Sequence, residues 1–180
     1  QRLRRQRQMC IRDSAIGALG YSHCLSELVT QAPFKLSQIV HASASAGTQA
    51  GLVFANAVEH YNIDILGINV FHPDPESLRQ RINGLYHSMS ERFNTAQAPK
   101  EPTIDINHAY FGSAYGQPTE AAKDAIRIFA ESEGLLLDPV YSGKAAAGLI
   151  DQITLGNFYH HDNGVFIHTG GAASLSAYDN

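Results

Sequence analysis

The stretch that decides the fold of this 180-residue sequence is Ile39-Val40-His41-Ala42-Ser43-Ala44-Ser45-Ala46-Gly47-Thr48-Gln49-Ala50-Gly51-Leu52. It begins as a short apolar run, which is typical of a buried strand, and continues through small residues into a predicted helix. The first N–H groups of a helix have no partner within it, and the helix dipole attracts negative charge to them. The stretch therefore predicts an anion site, and the hydroxyls of Ser43, Ser45 and Thr48 would suit a phosphate.

This loop matches neither the dinucleotide pattern GxGxxG nor the nucleotide pattern GxxxxGKS/T. A strand-to-helix turn that binds no ligand is therefore a competing interpretation. A hydrolase nucleophile at Ser43 or Ser45 is not expected, because the sequence around them lacks a GxSxG elbow.

The composition indicates one globular domain, since hydrophobic residues make up 44% of the chain and charged residues 17%. No apolar run approaches the roughly 20 residues that a membrane-spanning helix needs, so no membrane partner is expected. The cysteines are Cys10 and Cys24, without CxxC spacing. A disulfide framework and a cysteine zinc site are therefore not expected. We expect a cytoplasmic location.

Residues 1–14 differ from the rest because they contain five arginines and a single acidic residue, Asp13. The whole chain has a net charge of −4, so removing the +4 of this segment leaves about −8 for residues 15–180. An arm that binds nucleic acid is one interpretation, but the acidic remainder disfavours a nucleic-acid partner. We interpret the segment as non-native or disordered, and we expect the domain to begin at residue 15.

Strands and helices are predicted to alternate, which indicates an α/β fold with a mostly parallel sheet covered by helices on both faces. Strands are expected at 38–42, 64–70 and 165–168, with an edge strand or a loop at 103–108. Helices are expected at 15–30, 48–60, 76–93, 119–133 and 142–155, with a short one after 171. The buried positions expected in the first helix are Ile16, Leu19, Leu25, Leu28 and Val29.

Three segments are expected at the carboxyl ends of the strands: the loop 43–48, the segment 138–144 and the loop 169–171. Ligands of parallel α/β sheets bind at this edge. The convergence favours a phosphate site over an empty turn. A metal site is not expected, because His160-His161-Asp162 lies in a polar loop without a second ligand cluster, and His23 and His41 are expected to pack or hydrogen-bond.

Five motifs in order resemble the family of D-cysteine desulfhydrases and 1-aminocyclopropane-1-carboxylate deaminases, which are pyridoxal-phosphate enzymes. The motifs are Gly17-Ala18-Leu19-Gly20-Tyr21, Ser43 to Leu52, Tyr115-Gly116-Gln117-Pro118-Thr119, Asp138-Pro139-Val140-Tyr141-Ser142-Gly143-Lys144-Ala145 and Phe166-Ile167-His168-Thr169-Gly170-Gly171. The resemblance implies a three-layer α/β fold, the C-terminal part of the large domain of a tryptophan-synthase-β-like (fold type II) enzyme. Residues 15–180 would then be a partial cofactor-binding domain, and the parent enzyme a homodimer.

The function that the resemblance implies is that of a lyase or deaminase that uses pyridoxal 5′-phosphate and acts on a small amino acid. Conversion of D-cysteine to pyruvate, sulfide and ammonia is the reaction we expect. The alternatives are 1-aminocyclopropane-1-carboxylate deamination, the similar L-cysteate sulfo-lyase reaction, and a remnant that binds a phosphate ligand without catalysis.

The resemblance also implies roles for individual residues. The loop that holds the cofactor phosphate matches Ala44, Ser45, Ala46, Gly47 and Thr48. Tyr141 and Tyr115 match active-site tyrosines, of which Tyr141 takes part in proton or nucleophile chemistry. Ser142 and Thr169 match residues near the pyridine nitrogen. Two neutral hydroxyls there would favour β-elimination over ring-opening deamination.

The family binds its cofactor covalently through a lysine in an N-terminal GGNKxRKL-like segment, which this sequence lacks. Its lysines are Lys35, Lys100, Lys123 and Lys144, and the position of Lys144 is not that of the cofactor lysine. We therefore expect the chain as given to be an inactive C-terminal fragment. Ala44 and Ala46 replace glycines of the phosphate loop, and alanine costs conformational freedom wherever positive φ is needed, so an altered loop is expected.

Overall fold

The described residues of the structure, a computed structural model, are 14–95, 99, 101–158, 163–172, 175 and 178. Their helices are α1 (Ala15–Gln31), α2 (Gly47–Val58), α3 (Pro75–Arg92), α4 (Glu120–Glu133) and α5 (Ser142–Thr154). Their strands are β1 (Gln38–Ser43), β2 (Asp64–Asn69), β3 (Asp105–Asn107) and β4 (Gly164–Ile167). The elements predicted between residues 15 and 168 are present, with ends displaced by one or two residues, and the segment 103–108 contains an edge strand.

The four strands form one parallel sheet in the order β3-β2-β1-β4. In this register Val40 of β1 lies between Leu66 of β2 and Phe166 of β4. The chain builds the sheet outward from β1 to β3 and then places β4 on the other side of β1. The loop after β1 therefore lies where the strand order reverses, which is the usual ligand position in such sheets.

Helices cover both faces of the sheet. Ile39 and Ile65 pack with residues of α1, α2 and α3, whereas Val40 and Ile68 pack with Ala145 of α5. A strand buried on both faces reads as a nearly continuous apolar run, which is why β1 and β2 were recognisable in the sequence. The predicted three-layer α/β fold with a parallel sheet is confirmed.

The prediction that Ile16 is buried is wrong, because this side chain is 60% exposed. The inward face of α1 consists of Ala15, Ala18, Ser22 and Leu25. Small residues on this face let α1 approach α2 so closely that a Cβ at Gly51 would collide with the Ala18 carbonyl. Alanine and serine thus set how closely α1 packs. The other predicted positions do face the core, since Leu25 is fully buried and Leu19, Leu28 and Val29 pack against its cluster.

Two predicted features lie wholly or largely outside the described residues: residues 1–13 of the arginine-rich segment and the short helix after Gly171. The same holds for 160–162. Within the described part of the chain, no helix is long and apolar enough to cross a membrane.

Candidate functional site

The loop between β1 and α2 places uncapped backbone donors at the carboxyl edge of the sheet. Ala46 is the N-cap of α2, with φ 77° and ψ −27°, and its side chain makes no capping hydrogen bond. Ser45 and Thr48 are half-buried, and their hydroxyls have no hydrogen-bond partner among the described residues. These N–H and O–H groups suit an anion. Ala46 holds a positive φ, a conformation that favours glycine.

Ser43 does not contribute to this set of donors. Its hydroxyl is buried and donates to Gln49 Oε1 at 2.8 Å, while Gln49 Nε2 donates to the Asp105 carbonyl at 2.7 Å. The cause is the alternation of side chains along a strand. Because β1 extends to Ser43, this residue points to the same face as Ile39, toward α2. The prediction of Ser43 as an anion donor is therefore wrong.

The end of β2 forms a corner that the sequence did not reveal. Asn69 Oδ1 accepts from the N–H groups of Phe71 and His72 at 3.2 and 3.0 Å. Its Nδ2 donates to the His72 carbonyl at 2.6 Å and to His108 Nδ1 at 2.9 Å. His72 Nε2 in turn donates to the carbonyl of Ala44 at 3.0 Å. The contacts of Asn69 with Phe71 and His72 are local in sequence. By contrast, the Asn69–His108 contact joins residues 39 positions apart and the His72–Ala44 contact residues 28 positions apart, which no local pattern could have indicated.

Tyr115 and Tyr141 come together although 26 residues separate them. Their hydroxyls are hydrogen-bonded, and their ring centroids lie 6.0 Å apart. Burial raises the pKa of Tyr141 above its ordinary value, and the hydrogen bond with Tyr115 raises it further. Tyr141 therefore keeps its proton at neutral pH. The Phe71 ring packs on Tyr115 at 4.7 Å in an edge-to-face arrangement.

Lys144 holds the loop that carries Tyr115. Its side chain is fully buried, and its Nζ donates to the Phe111 carbonyl at 2.6 Å. The same nitrogen lies 5.7 Å from the centroid of the Phe111 ring, within the range of a cation–π contact. Burial lowers the pKa of this amine. In the described structure its contacts are those of an anchor for the segment 111–115.

Asp138 organises the start of α5. Its carboxylate is fully buried and accepts from the N–H groups of Val140 and Tyr141 and from both the N–H and the hydroxyl of Ser142. An anion at a helix N-terminus is favoured by the helix dipole. The hydroxyl of Ser142 therefore donates its proton to Asp138, and the residue as a whole is 1% exposed.

The loop after β4 lies directly against Asp138. Gly171 has φ 113°, and a Cβ at this position would collide with the Asp138 carboxylate. Thr169, two residues earlier, is half-buried, and its hydroxyl has no hydrogen-bond partner in the described ranges. The fold thus brings the neighbourhoods of Ser142 and Thr169 together through Asp138.

A single apolar cluster connects these parts. Both Ala44 and Tyr141 pack against it, and its buried members are Val40, Ala42, Ile68, Val70 and Ala145. The candidate residues from three distant segments therefore lie at one edge of the sheet. Most of them were indicated by the sequence motifs, whereas Asn69, Phe71 and His72 were not.

Comparison with known proteins places this geometry in a family. The family described as "Pyridoxal-phosphate dependent enzyme" matches residues 7–170. The chain belongs to this family. The match begins within the arginine-rich segment, and the pyridoxal-phosphate-dependent enzymes are the group that the five motifs indicated.

Individual relatives within this family are similar over most of the chain. D-cysteine desulfhydrases of Salmonella paratyphi B and Salmonella typhi are 39% and 40% identical to it over 171 residues. The alignments cover 92% of this chain and 50% of each relative. A crystal structure described as that of an ACC deaminase homologue superposes with a TM-score of 0.82 at 32% identity, covering 93% of this chain and 50% of that one. The predicted family and fold type are confirmed, and the chain spans about half the length of these relatives.

The described residues fit the phosphate end of pyridoxal phosphate. A dianion needs several converging donors, and the uncapped start of α2 supplies N–H groups beside the unpartnered hydroxyls of Ser45 and Thr48.

Proposed function

We propose that this chain supplies the phosphate-holding loop and the proton-handling tyrosines of a pyridoxal-phosphate-dependent lyase that acts on a small amino acid. The observation that carries the proposal is the hydrogen-bonded pair of Tyr115 and Tyr141 at the same sheet edge as the uncapped N-terminus of α2. Identity to D-cysteine desulfhydrases supports D-cysteine as the substrate of the whole protein. The products would be pyruvate, sulfide and ammonia.

The N–H groups at the start of α2, together with Ser45 and Thr48, would hold the cofactor phosphate. When bound, pyridoxal phosphate supplies an electron sink for the negative charge left on the α-carbon of the substrate. Thr169 is the better placed of the two predicted hydroxyls to face the pyridine nitrogen, because the Ser142 hydroxyl donates to Asp138. A neutral hydroxyl at that nitrogen supports β-elimination.

The tyrosine pair would handle the proton at the leaving group. Because its pKa is raised, Tyr141 carries its proton on Oη at neutral pH and can act as a general acid toward a departing sulfur. Tyr115 holds the Tyr141 hydroxyl in place and can pass it a replacement proton. Both functions depend on the contact between the two hydroxyls.

Calorimetry with pyridoxine 5′-phosphate tests the phosphate site, because this probe has an alcohol in place of the aldehyde and needs no lysine. We expect binding, and a Thr48→Val variant should bind about tenfold more weakly, since a hydrogen bond to a charged group is lost. Thr103→Val, at an exposed threonine distant from the loop, is the matched control. Stronger binding of a nucleotide than of the probe would instead support the non-catalytic phosphate binder.

The chain as given should not turn over D-cysteine, because Lys35, Lys100, Lys123 and Lys144 all lie outside the family's lysine segment. Adding pyridoxal phosphate should therefore produce no new visible absorbance band that depends on Lys144. A band that disappears in Lys144→Ala would overturn this expectation. For the whole protein, sulfide from D-cysteine supports the desulfhydrase, whereas release of sulfite from L-cysteate or ammonia from 1-aminocyclopropane-1-carboxylate supports an alternative.

We further propose that the whole protein is a cytoplasmic homodimer without a nucleic-acid partner. Exposed apolar side chains on this chain, among them Ile16, Leu136 and Leu155, support burial against another surface. Sedimentation of the whole protein tests the proposal, and a monomer at micromolar concentration would contradict it.

A further inference from the structure

We propose that Phe71 and His72 are positioning residues that control the phosphate loop and the tyrosine pair from one corner of the fold. The corner is the segment 69–72 at the end of β2. The roles of the phosphate loop in binding the cofactor and of the tyrosine pair in handling a proton rest on the proposed function. The contacts that Phe71 and His72 make do not depend on it.

Asn69 makes the corner rigid. It is 1% exposed, and its side chain uses both acceptor positions and both donor hydrogens. The acceptors bind the N–H groups of Phe71 and His72, and the donors bind the His72 carbonyl and His108 Nδ1. These four hydrogen bonds are the most that an amide side chain can make. The backbone of the next three residues is therefore fixed relative to the ends of β2 and β3.

His72 connects this corner to the phosphate loop. Its Nε2 must carry a proton, because the Ala44 carbonyl at 3.0 Å can only accept. His72 is 8% exposed, and Ala44 precedes the strained Ala46 by two residues. This hydrogen bond therefore fixes the entry of the loop close to the position where its backbone takes a positive φ.

Phe71 connects the same corner to the tyrosine pair. Its ring meets Tyr115 edge to face, with a centroid distance of 4.7 Å and an interplanar angle of 71°, the arrangement preferred by aromatic pairs. Tyr115 is 47% exposed, so few contacts restrain its ring. The Phe71 ring on one side and the Tyr141 hydroxyl on the other therefore determine where Tyr115 lies.

Because Phe71 and His72 are consecutive, a movement of the corner displaces both parts of the site together. The corner thus holds the phosphate loop through the His72 side chain and the tyrosine pair through the Phe71 ring. Neither residue needs to touch the substrate or the cofactor for this effect.

The His72 contact is tested with His72→Leu, which removes the donor, and His72→Gln, whose amide can replace it. We expect the amide NMR signals of Ser45 and Gly47 to move in the leucine variant and to return in the glutamine variant. Affinity for pyridoxine 5′-phosphate should fall about fivefold and recover in the same way. His23→Leu, at an exposed histidine, is the control. Loop signals unchanged in His72→Leu would overturn this part of the proposal.

The Phe71 contact is tested with Phe71→Leu and with Phe71→Tyr, which keeps the ring. The leucine variant should change the alkaline titration of tyrosine absorbance and move the Tyr115 signals in NMR spectra. The tyrosine variant should return the Tyr115 signals to their original positions. Both variants should bind the phosphate probe within about twofold of the original chain. Phe34→Leu, at an exposed phenylalanine before β1, is the matched control. An unchanged titration in Phe71→Leu would overturn this part.

The two proposals fail in different ways. If the original chain does not bind pyridoxine 5′-phosphate, the proposed function fails, and the NMR and titration results still decide whether the corner positions the loop and the pair. If the chain binds the probe and the Phe71 and His72 variants match their controls in every measurement, the positioning proposal is wrong and the proposed function stands.

Discussion

Ser142 and Asp138 are joined by three hydrogen bonds that use the main chain and the side chain of both residues. The Asp138 N–H donates to Ser142 Oγ at 2.8 Å, while the Ser142 N–H and hydroxyl donate to Asp138 Oδ1 at 2.8 and 2.6 Å. The turn before α5 is therefore closed on itself. The turn also holds the backbone of Tyr141, whose N–H donates to Asp138. The Ser142 hydroxyl donates its proton to Asp138 and therefore cannot donate to a ligand.

Asp138→Asn should destabilise the fold by about 3 kcal/mol, because an amide can replace the carboxylate as acceptor for only some of its donors and leaves buried N–H groups unpaired. Urea unfolding measures this change. Asp124→Asn, on the exposed face of α4, is the control and should change the free energy of unfolding by no more than about 0.5 kcal/mol. Equal effects of the two substitutions would contradict the role given to Asp138.

Gly171→Ala should be more damaging than Gly170→Ala. Both glycines have a positive φ, 113° and 107°, so both variants strain the backbone. A Cβ at Gly170 meets open space, whereas one at Gly171 collides with Asp138. We expect the Gly171 variant to be about 2 kcal/mol less stable than the Gly170 variant. Similar melting curves for the two would show that the loop does not rest on Asp138.

Tyr115→Phe should lower the pKa of Tyr141 while leaving it above the ordinary value of 10, since burial is the largest cause of the shift and the Tyr115 hydroxyl the next. Alkaline titration of tyrosinate absorbance measures the change, and subtraction of the Tyr141→Phe curve isolates the contribution of Tyr141. Tyr61→Phe, whose hydroxyl lies near Ser26, is the control. A Tyr141 pKa that does not move would mean that the two hydroxyls are not in contact in solution.

Ala46→Gly should be about 2 kcal/mol more stable than Ala50→Gly, because glycine relieves the left-handed strain at Ala46 but weakens the helix at Ala50. Both alanines are buried in the same cluster, so the loss of a methyl group is matched between the two variants. Thermal unfolding gives the comparison, and a reversed order would contradict the positive φ of Ala46.

His41→Leu should remove an acid sensitivity of the fold. His41 is fully buried and its Nε2 has no partner among the described residues, so burial lowers its pKa from 6.5 to about 4. Above pH 6.5 both folded and unfolded chains hold it neutral. As the pH falls from 6.5 to 4 the unfolded chain is protonated first, and stability decreases by about 3 kcal/mol.

Urea unfolding at several pH values across this range tests the prediction. The leucine variant should show a flatter loss toward low pH, and His23→Gln, at an exposed histidine, should retain the original profile. A leucine variant as acid-sensitive as the original chain would assign the effect to other groups.

The sequence predicted the layers of the fold because β1 and β2 are apolar on both sides, a pattern that a sheet covered on one face does not require. It also predicted the helix at 119–133, whose observed ends are both set by local signals, the Thr119 cap and Gly134. The sequence also showed that Ala44 and Ala46 stand where related sequences have glycine, and of these two the structure gives Ala46 a positive φ. These features depend on neighbours a few residues away.

The features that the sequence did not predict depend on distant partners. Ser43 faces inward because β1 extends one residue further than expected. Side chains alternate between the two faces of a strand, so Ser43 points to the buried face instead of belonging to the loop. His72 and Ala44 are 28 residues apart, and their contact exists only because β1 and β2 are adjacent. The close approach of α1 to Gly51 depends on Ala18 and Ser22, and the periodicity of large apolar residues does not encode it.

The pairing of β1 with β4 also has a consequence for the order of folding. Ser37 and Asn163, at the start of these strands, exchange hydrogen bonds across 126 residues of chain. Closing so long a loop is entropically costly and slow, whereas β1, β2 and β3 can assemble from shorter segments. We therefore expect the loop between β1 and α2 to form early, and β4, with Thr169 two residues after it, to dock late. A chain that ends before β4 would lack the strand that pairs with β1 on this side of the sheet.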